Sequence, residues 1–538
     1  MKALNNPRAW TLSLIKPWNR FAFLSLAMAF MVISFGLVSH TDAAEPQQGG
    51  IYRVTMTGPP RSLDPHHETT PQTLAVNAYN GLVRMNKDMS GVELDLAESW
   101  RQIDTLTYEF KLRKGARFHD IPPVNGREVT SEDVKYSIER ISGEHGKARL
   151  FKHRYYFRNK LASIETPDKY TVIIKTKEPY GAFMNYMGSP WSAIVPKEAV
   201  DKFGDLKRKA IGTGPFILKE LRRDAYMHIV KNPKYFKAGL PYFDKISYTI
   251  MSDPAARLAA FLSNRLDAIG VESYQLPTIK KEAPESQIIE LESGFSTLLR
   301  CRPWLDDKPY PPPLNDVRVR HAISMAIDKE RVVKLVLDGN GVVQVGAVPS
   351  WPGYSVPKSE QVEYNPEKAK KFLAEAGYPN GFTMELMTWN IPVLNRTAQV
   401  VQAMLAEVGI NVTLRILEMG QYFNRMFKFD YDFAVHINGA GLDPEEYLVK
   451  YFGGPKARVT YSWQNKDVWR LIEEQRRIVD NKKRAAMIQD IQRLLLKDAV
   501  NVNLFTQIGF SVAKPYLHRV IYKNSYQSYP ELYWMEKH

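Results

Sequence analysis

One uncharged apolar run constrains this chain more than any other feature: residues 21–38, FAFLSLAMAFMVISFGLV. The segment before it carries Lys2, Arg8, Lys16 and Arg20 and no acid, and Ser39-His-Thr-Asp-Ala-Ala44 follows it. A basic flank, an apolar run and a small-residue exit make a secretory signal peptide. Cleavage after Ala43 places Thr41 and Ala43 at the small-residue positions, and cleavage after Ala44 is the near alternative. An uncleaved anchor is the rival, because the run lies at the lower edge of the roughly 17–25 residues that span a bilayer. The exit site favours cleavage. No cysteine stands near it, which excludes a lipid anchor.

The exported product has to hold itself together by burial. Its single cysteine, Cys301, excludes an internal disulfide and a thiolate zinc cluster within one chain. A chain of 538 residues can bury a full core without disulfides, and it has the length of about three domains. A hydrophobic content of 44% excludes wholesale disorder, and one long apolar run excludes a multi-spanning membrane protein. Removing residues 1–43 takes away four bases and Asp42, so the net charge of +15 becomes +12. Lys and Arg are spread along the chain among acids, with no Arg-rich arm. That pattern is a solvated basic surface rather than a nucleic-acid site.

Strand and helix periods alternate along the mature chain. Gly50 to Met56, Tyr108 to Arg113, Tyr170 to Lys175 and Gly212 to Leu218 read as strands. Thr73 to Leu82 has helical spacing, and Thr130 with Asp133 opens a helix in a pattern close to a capping box. Five prolines between Arg302 and Asn315 mark a connector. Beyond it come a helix over Asp316 to Leu337, one from Asn365 to a C-cap glycine at Gly377, a strand from Phe382 to Met387 and a helix from Thr397 to Val408. A strand from Gly409 to Ile416 and helices over Val468 to Val479 and Arg484 to Leu496 complete an α/β pattern.

Catalytic motifs are absent. There is no G-x-S-x-G elbow and no phosphate loop. His67-Glu68 begins like a zinc-protease helix, but Pro71 stands where the second histidine must be. His66-His67-Glu68 lacks the C-x-x-C that a zinc deaminase needs, and Gly339-Asn-Gly341 lacks the third glycine of a dinucleotide fingerprint. The adjacent His66 and His67 point different ways on a strand, as surface or turn histidines do. We therefore expect no metal and no cofactor. Several aromatics sit beside turn residues instead: Trp191 after Gly188-Ser-Pro190, Trp351 before Pro352, Trp389 before Asn390, and Trp463 between Ser462 and Gln464. Aromatics on loops beside polar groups suit a ligand cleft, though each also suits packing between domains.

Four segments resemble the extracellular solute-binding proteins of family 5, the receptors of peptide and nickel ABC importers. The first runs from Leu96-Ala-Glu-Ser-Trp100 through Phe110-Lys-Leu-Arg-Lys-Gly-Ala-Arg-Phe-His-Asp120 to Thr130-Ser-Glu-Asp-Val134. The second is Ile211-Gly-Thr-Gly-Pro-Phe216 with Asn232-Pro-Lys-Tyr-Phe236. The third is Asn315-Asp-Val-Arg-Val-Arg-His-Ala-Ile-Ser-Met-Ala-Ile-Asp328. The fourth is Tyr364-Asn-Pro-Glu-Lys-Ala369 with Ala374-Glu-Ala-Gly377 and Val408-Gly-Ile-Asn-Val412. The resemblance implies a two-lobed periplasmic binding protein fold of type II, cluster C, with an extra inserted domain. Domain I would comprise residues 44–82, 206–301 and 510–538, domain II residues 83–205, and domain III residues 302–509. It also implies a periplasmic monomer that captures a small solute between the lobes and delivers it to an inner-membrane permease, with no nucleic-acid partner and no catalysis.

The resemblance places Glu68 and Thr69 in the stretch that supplies pocket groups from domain I. It also reveals a departure. In dipeptide and oligopeptide receptors, an aspartate four residues before a proline matching Pro444 pairs with the ligand's α-amine, and a tryptophan lies three residues before that aspartate. Here those positions are Ala440 and Ile437. Asn438 and Asp443 are the polar groups left in that loop, and Asp443 replaces the anchor only if the loop is rearranged. Free-amine dipeptides are expected to bind poorly, and a blocked peptide, a sugar-like compound or an opine-like conjugate to fit better. An exported hydrolase using Asp443, Glu68 or His66, and a signalling receptor or chaperone on the same scaffold, are the competing readings.

Overall fold

Segments that alternate at period two form strands, and those with period 3.6 form helices. The structure is a computed structural model that describes residues 45–67, 72–146, 148–302, 312–349, 351, 353–439, 441–453, 465–523 and 528–536. The expected leader and most of the proline connector lie outside these residues. Gln47–His538 forms one compact unit.

The strands of the main sheet, in chain order, are β1 (Ile51–Met56), β2 (Phe216–Arg222), β3 (Tyr226–Lys231), β4 (Lys245–Ile250), β5 (Ala268–Val271) and β6 (Gln287–Cys301). They continue with β7 (Gly341–Val343), β8 (Phe382–Trp389), β9 (Ile410–Leu417), β10 (Phe433–Gly439) and β11 (Asn501–Ala513). The sheet order is β9-β8-β10-β6-β11-β5-β1-β4-β3-β2, with β7 on β11. Pairing is parallel for β1 with β4 and β5 and for β8 with β9 and β10, and antiparallel elsewhere, so the sheet is mixed. A second sheet of four antiparallel strands uses Ala97–Gln102, Thr107–Leu112, Thr171–Thr176 and Leu161–Asp168.

The helices needed below are α1 (Gln72–Ala78), α2 (Ser131–Ser142), α3 (Val317–Met325), α4 (Lys329–Leu337), α5 (Pro392–Ala406), α6 (Pro444–Phe452), α7 (Lys466–Gln475) and α8 (Asn481–Lys497). Thr130 opens α2 as expected, with its backbone N–H donating to the Asp133 carboxylate at 2.9 Å. The single helix expected over 316–337 is two helices. Asp328 interrupts it, because its side chain accepts from the Arg331 backbone N–H and starts a new N-terminus. The helix expected from Thr397 starts earlier, with Pro392 in the first turn of α5, where a missing N–H costs nothing.

Apolar side chains gather into separate cores. One takes residues from Tyr52 to Tyr248 and the returning tail at Ala513, Leu517 and Tyr533. Another takes residues from Leu299 to Phe505. Strands β6 and β11 join them. Leu299 of β6 and Val502, Leu504 and Phe505 of β11 lie in the second core, while Ala513 of β11 reaches the first. Two long antiparallel strands therefore run side by side from one body of the molecule to the other. Their pairing shifts register between Glu292 and Ser296 and again at Thr297–Leu298.

Candidate functional site

A polar row crosses the sheet where the register shifts. Ser296 of β6 stands opposite Asn438 of β10 on one side and Thr506 of β11 on the other. All three are buried. The Thr506 hydroxyl has no hydrogen-bond partner among the described residues. A strand interior that meets only core has no use for such a row, since each buried polar group costs free energy unless it is paired.

Asn438 is the hub of this row. Its Nδ2 donates to the Tyr447 hydroxyl at 2.6 Å, and its Oδ1 accepts from Arg300 Nη2 at 2.8 Å. The Arg300 guanidinium is fully buried, contacts Met426 Sδ at 2.9 Å and lies 5.6 Å from the Tyr451 ring centroid. Two residues back on β10, His436 stacks on Tyr422 at 5.9 Å and shares a 2.8 Å hydrogen bond with its hydroxyl. Burial holds this histidine well below its ordinary pKa, with Arg300 and Lys450 adding to the shift, so it is neutral at pH 7. Trp389 packs against Tyr422 at 5.8 Å and Phe423 at 5.1 Å, and its Nε1 is buried with no partner among the described residues. Asn390 follows on the surface, with its Nδ2 donating to Glu418 at 3.2 Å. Trp389 and Asn390 thus sit at the carboxyl end of parallel strands, where open α/β sheets bind ligands.

Residues around Trp191 meet α6 and the residue that caps it. Ser189 accepts from the Trp191 backbone N–H and holds it in a short turn. Trp191 is nearly buried, with His153 edge-on at 5.8 Å and the Lys152 ammonium 5.5 Å from its ring centroid. The same ammonium lies 3.7 Å from Glu446 of α6. Nearby, Asn185 Nδ2 donates to Asp443 at 2.7 Å, Tyr180 OH to Glu445 at 3.4 Å, and the Gly181 N–H to the Arg476 carbonyl at 2.8 Å.

Asp443 is committed within this junction. Its carboxylate accepts from both Arg484 nitrogens at 2.5 and 2.7 Å, from Asn185 and from the Glu445 backbone N–H. Both members of the pair are fully buried. Burial opposes the Asp443 charge, but Arg484 and the other donors outweigh it and hold the carboxyl below its ordinary range. Burial pushes the Glu445 carboxyl up to about 7 against the pull of Arg476. His66 is likewise occupied, with Arg140 at one ring nitrogen and the Ala193 carbonyl at the other, at 2.6 and 2.8 Å. Glu68, Thr69, Ala440 and Trp463 lie outside the described residues. Sequence reading did not single out Ser296, Arg300, Thr506 or Tyr447, because nothing local sets them apart from the other polar residues of their strands and helix. Among the described residues, no group of three or more His, Cys, Asp or Glu is placed to hold a metal.

The family model for bacterial extracellular solute-binding proteins, family 5 Middle, matches residues 91–458. The chain belongs to this family. It is 29% identical over 493 residues to the oligopeptide-binding protein AppA of Bacillus subtilis, across 85% of this chain and 86% of AppA. The solved structure of B. subtilis AppA in complex with a nonapeptide superposes with a TM-score of 0.70 at 26% identity, covering 92% of this chain and 100% of that one. The glutathione-binding protein GsiB of Pectobacterium atrosepticum is 30% identical over 408 residues, 75% of this chain and 74% of GsiB. AgaA of A. tumefaciens R10, solved with agropinic acid, superposes with a TM-score of 0.72 at 28% identity over 91% of this chain and 99% of AgaA. The two-lobed periplasmic binding protein fold of family 5 is therefore the fold of this chain. β6 and β11 connect two of its cores.

Proposed function

We propose that this protein is the periplasmic receptor of an ABC importer, which holds a small solute between its lobes and hands it to a membrane permease. The observation that carries this reading is the polar row Asn438–Ser296–Thr506, which crosses from β10 over the two strands, β6 and β11, that join the lobes of a family 5 chain. A solute that touches both lobes makes its full set of contacts only in the closed form, so it selects closure. Moving the equilibrium from 1:99 to 99:1 takes about 5.5 kcal/mol of differential binding.

The finer assignments rest on the sequence. The mature chain begins after Ala43, acts as a monomer, and divides into domain I (44–82, 206–301, 510–538), domain II (83–205) and domain III (302–509). Its solute lacks a free α-amine held as in dipeptide receptors, since Ala440 and Ile437 replace the anchor pair and Asp443 is engaged by Arg484 and Asn185. A blocked peptide, a sugar-like compound or an opine-like conjugate meets that requirement. The committed states of Asp443 and His66 also favour a receptor over a hydrolase, because neither is free to attack or to move a proton.

Native mass spectrometry of protein taken from the periplasm tests this reading. A bound non-peptide or N-blocked mass is expected, together with an amino terminus at Ala44. A free-amine peptide as the resident solute would refute the anchor argument. Failure to capture any solute, from the periplasm or from a panel, would refute the receptor itself.

A further inference from the structure

A cavity of about 370 Å³ opens over β1, β5, β6 and β11, lined by Tyr52, Tyr248 and Tyr533 with Thr73 and Ser511. Its size is that of a small-solute site, and tyrosines with a few convergent polar groups suit one. Ile289 and Leu291 of β6 and Ser511 of β11 form part of its lining, so it lies along the two connecting strands that also carry the polar row.

Arg519 reaches into this cavity. Its Nη1 donates to Ser511 Oγ at 2.7 Å. Its Nε and Nη2 are buried and meet no acceptor among the described residues. These two nitrogens lie along one edge of the guanidinium, the fork that takes a carboxylate with two parallel hydrogen bonds. Other buried arginines are answered within the chain: Arg140 by Asp64, Arg484 by Asp443, and Arg257 and Arg320 by backbone carbonyls. No described carboxylate pairs with Arg519. The titratable neighbours that bear on its charge are the hydroxyls of Tyr52 and Tyr533, and burial holds its pKa below the ordinary value. A cation desolvated without a counter-charge is costly, so a fork held open by Ser511 is a feature built for an anion.

We propose that Arg519 is a specificity-determining residue that receives a carboxylate of the transported solute, and that the protein selects acidic solutes. This inference rests on the receptor reading above. The cavity lies on the first body, so Tyr52, Tyr248 and Tyr533 flank only the carboxylate-bearing end of the solute, and Ser511 fixes the guanidinium edge-on.

The test uses calorimetry on the full mature protein freed of solute by unfolding and refolding. The probes are glutathione, an N-acetyl dipeptide and agropinic acid, each beside its methyl ester, followed by a low-molecular-weight culture extract. At least one acid is expected to bind and its ester to bind at least about tenfold more weakly. Arg519→Gln is expected to lower affinity for the acid by about 10–100-fold, the loss of a charged hydrogen-bond pair, and to leave the ester's affinity unchanged. Arg519→Lys, which keeps the charge but not the fork, is expected to fall between. Equal binding of acid and ester, or an unchanged affinity in a folded Arg519→Gln protein, overturns the assignment and leaves the receptor reading standing. Binding of no probe and of nothing in the extract overturns both.

Discussion

Replacing Asp443 by Asn removes one charge from a fully buried pair and leaves Arg484 without a counter-ion. The carboxylate accepts four hydrogen bonds: two from Arg484, one from Asn185 and one from the Glu445 backbone. An amide has one acceptor oxygen, and its NH₂ group points donors at donors. Breaking a buried pair on one side costs about 3–5 kcal/mol, because the remaining ion stays desolvated. The assay is urea unfolding of the solute-free protein, with the double variant Asp443→Asn, Arg484→Met beside it. The double variant should recover much of the loss, since it removes both charges and leaves a side chain of similar bulk. Solute affinity, where measurable in the folded variant, should change far less than stability. A loss below about 1 kcal/mol would refute the buried-pair reasoning. A protein of normal stability that no longer holds its solute would show that Asp443 is a ligand group instead.

Three further outcomes are expected. The double variant Ala440→Asp, Ile437→Trp restores the amine-anchor pair and should raise affinity for free-amine dipeptides at least about tenfold by titration calorimetry, the value of one charged hydrogen bond; no gain would count against the missing-anchor account. Gly214→Ala puts a Cβ 2.3 Å from the Asn77 carbonyl oxygen, so it should lower the melting temperature and the yield of folded protein, and a melt equal to wild type would show that α1 can move aside. His66 is fully buried with its pKa lowered by burial and Arg140 to about 4, so the unfolded chain binds its proton first. Its stabilisation is complete above pH 6.5 and is lost as pH falls toward 4, about 3 kcal/mol in all, and His66→Gln should flatten the stability curve across that window.

Much of the scaffold was legible in the sequence because the recognisable segments are scaffold parts. His119 lies within the first segment, and its Nε2 shares a 3.0 Å hydrogen bond with the Gly214 carbonyl of the second. Gly212 and Gly214 are glycines because the Ala78 and Asn77 carbonyls of α1 lie where a Cβ would be. Asn232 donates to the same Gly214 carbonyl at 3.0 Å, Asn365 caps the helix that follows it, and Arg320 binds the Leu314 and Asp498 carbonyls. Each of these residues satisfies backbone or fills a core, and such needs recur wherever the fold does. The proposed site obeys no such rule. Ser296, Thr506 and Arg300 stand among other polar residues of their strands, and only the register between distant strands brings Asn438 beside Ser296. Arg519 lies in a tail that sequence periodicity leaves blank. Asp443 carried a clear sequence signal, but a carboxylate beside a pocket and one spent in an ion pair look alike until Arg484, from another helix, is placed against it.

The contacts between lobes explain why such a molecule can open. Across the junction, Asn185 meets Asp443, Tyr180 meets Glu445, Lys152 meets Glu446 and Arg477 meets Glu178. Asp443 is paired with Arg484 and Glu445 with Arg476, so parting Asn185 and Tyr180 from them strands neither carboxylate. Among the described residues, these polar contacts are single hydrogen bonds and partly exposed ion pairs. Those are worth roughly 0.5–1.5 and 0–1 kcal/mol each, with water ready to replace them. Their sum is a few kcal/mol, the same size as the differential binding a solute can supply. An apolar junction of this extent would stay shut, and a solute could not report its presence through it. With this junction the balance is close enough for the contacts of one solute that touches both lobes to decide it.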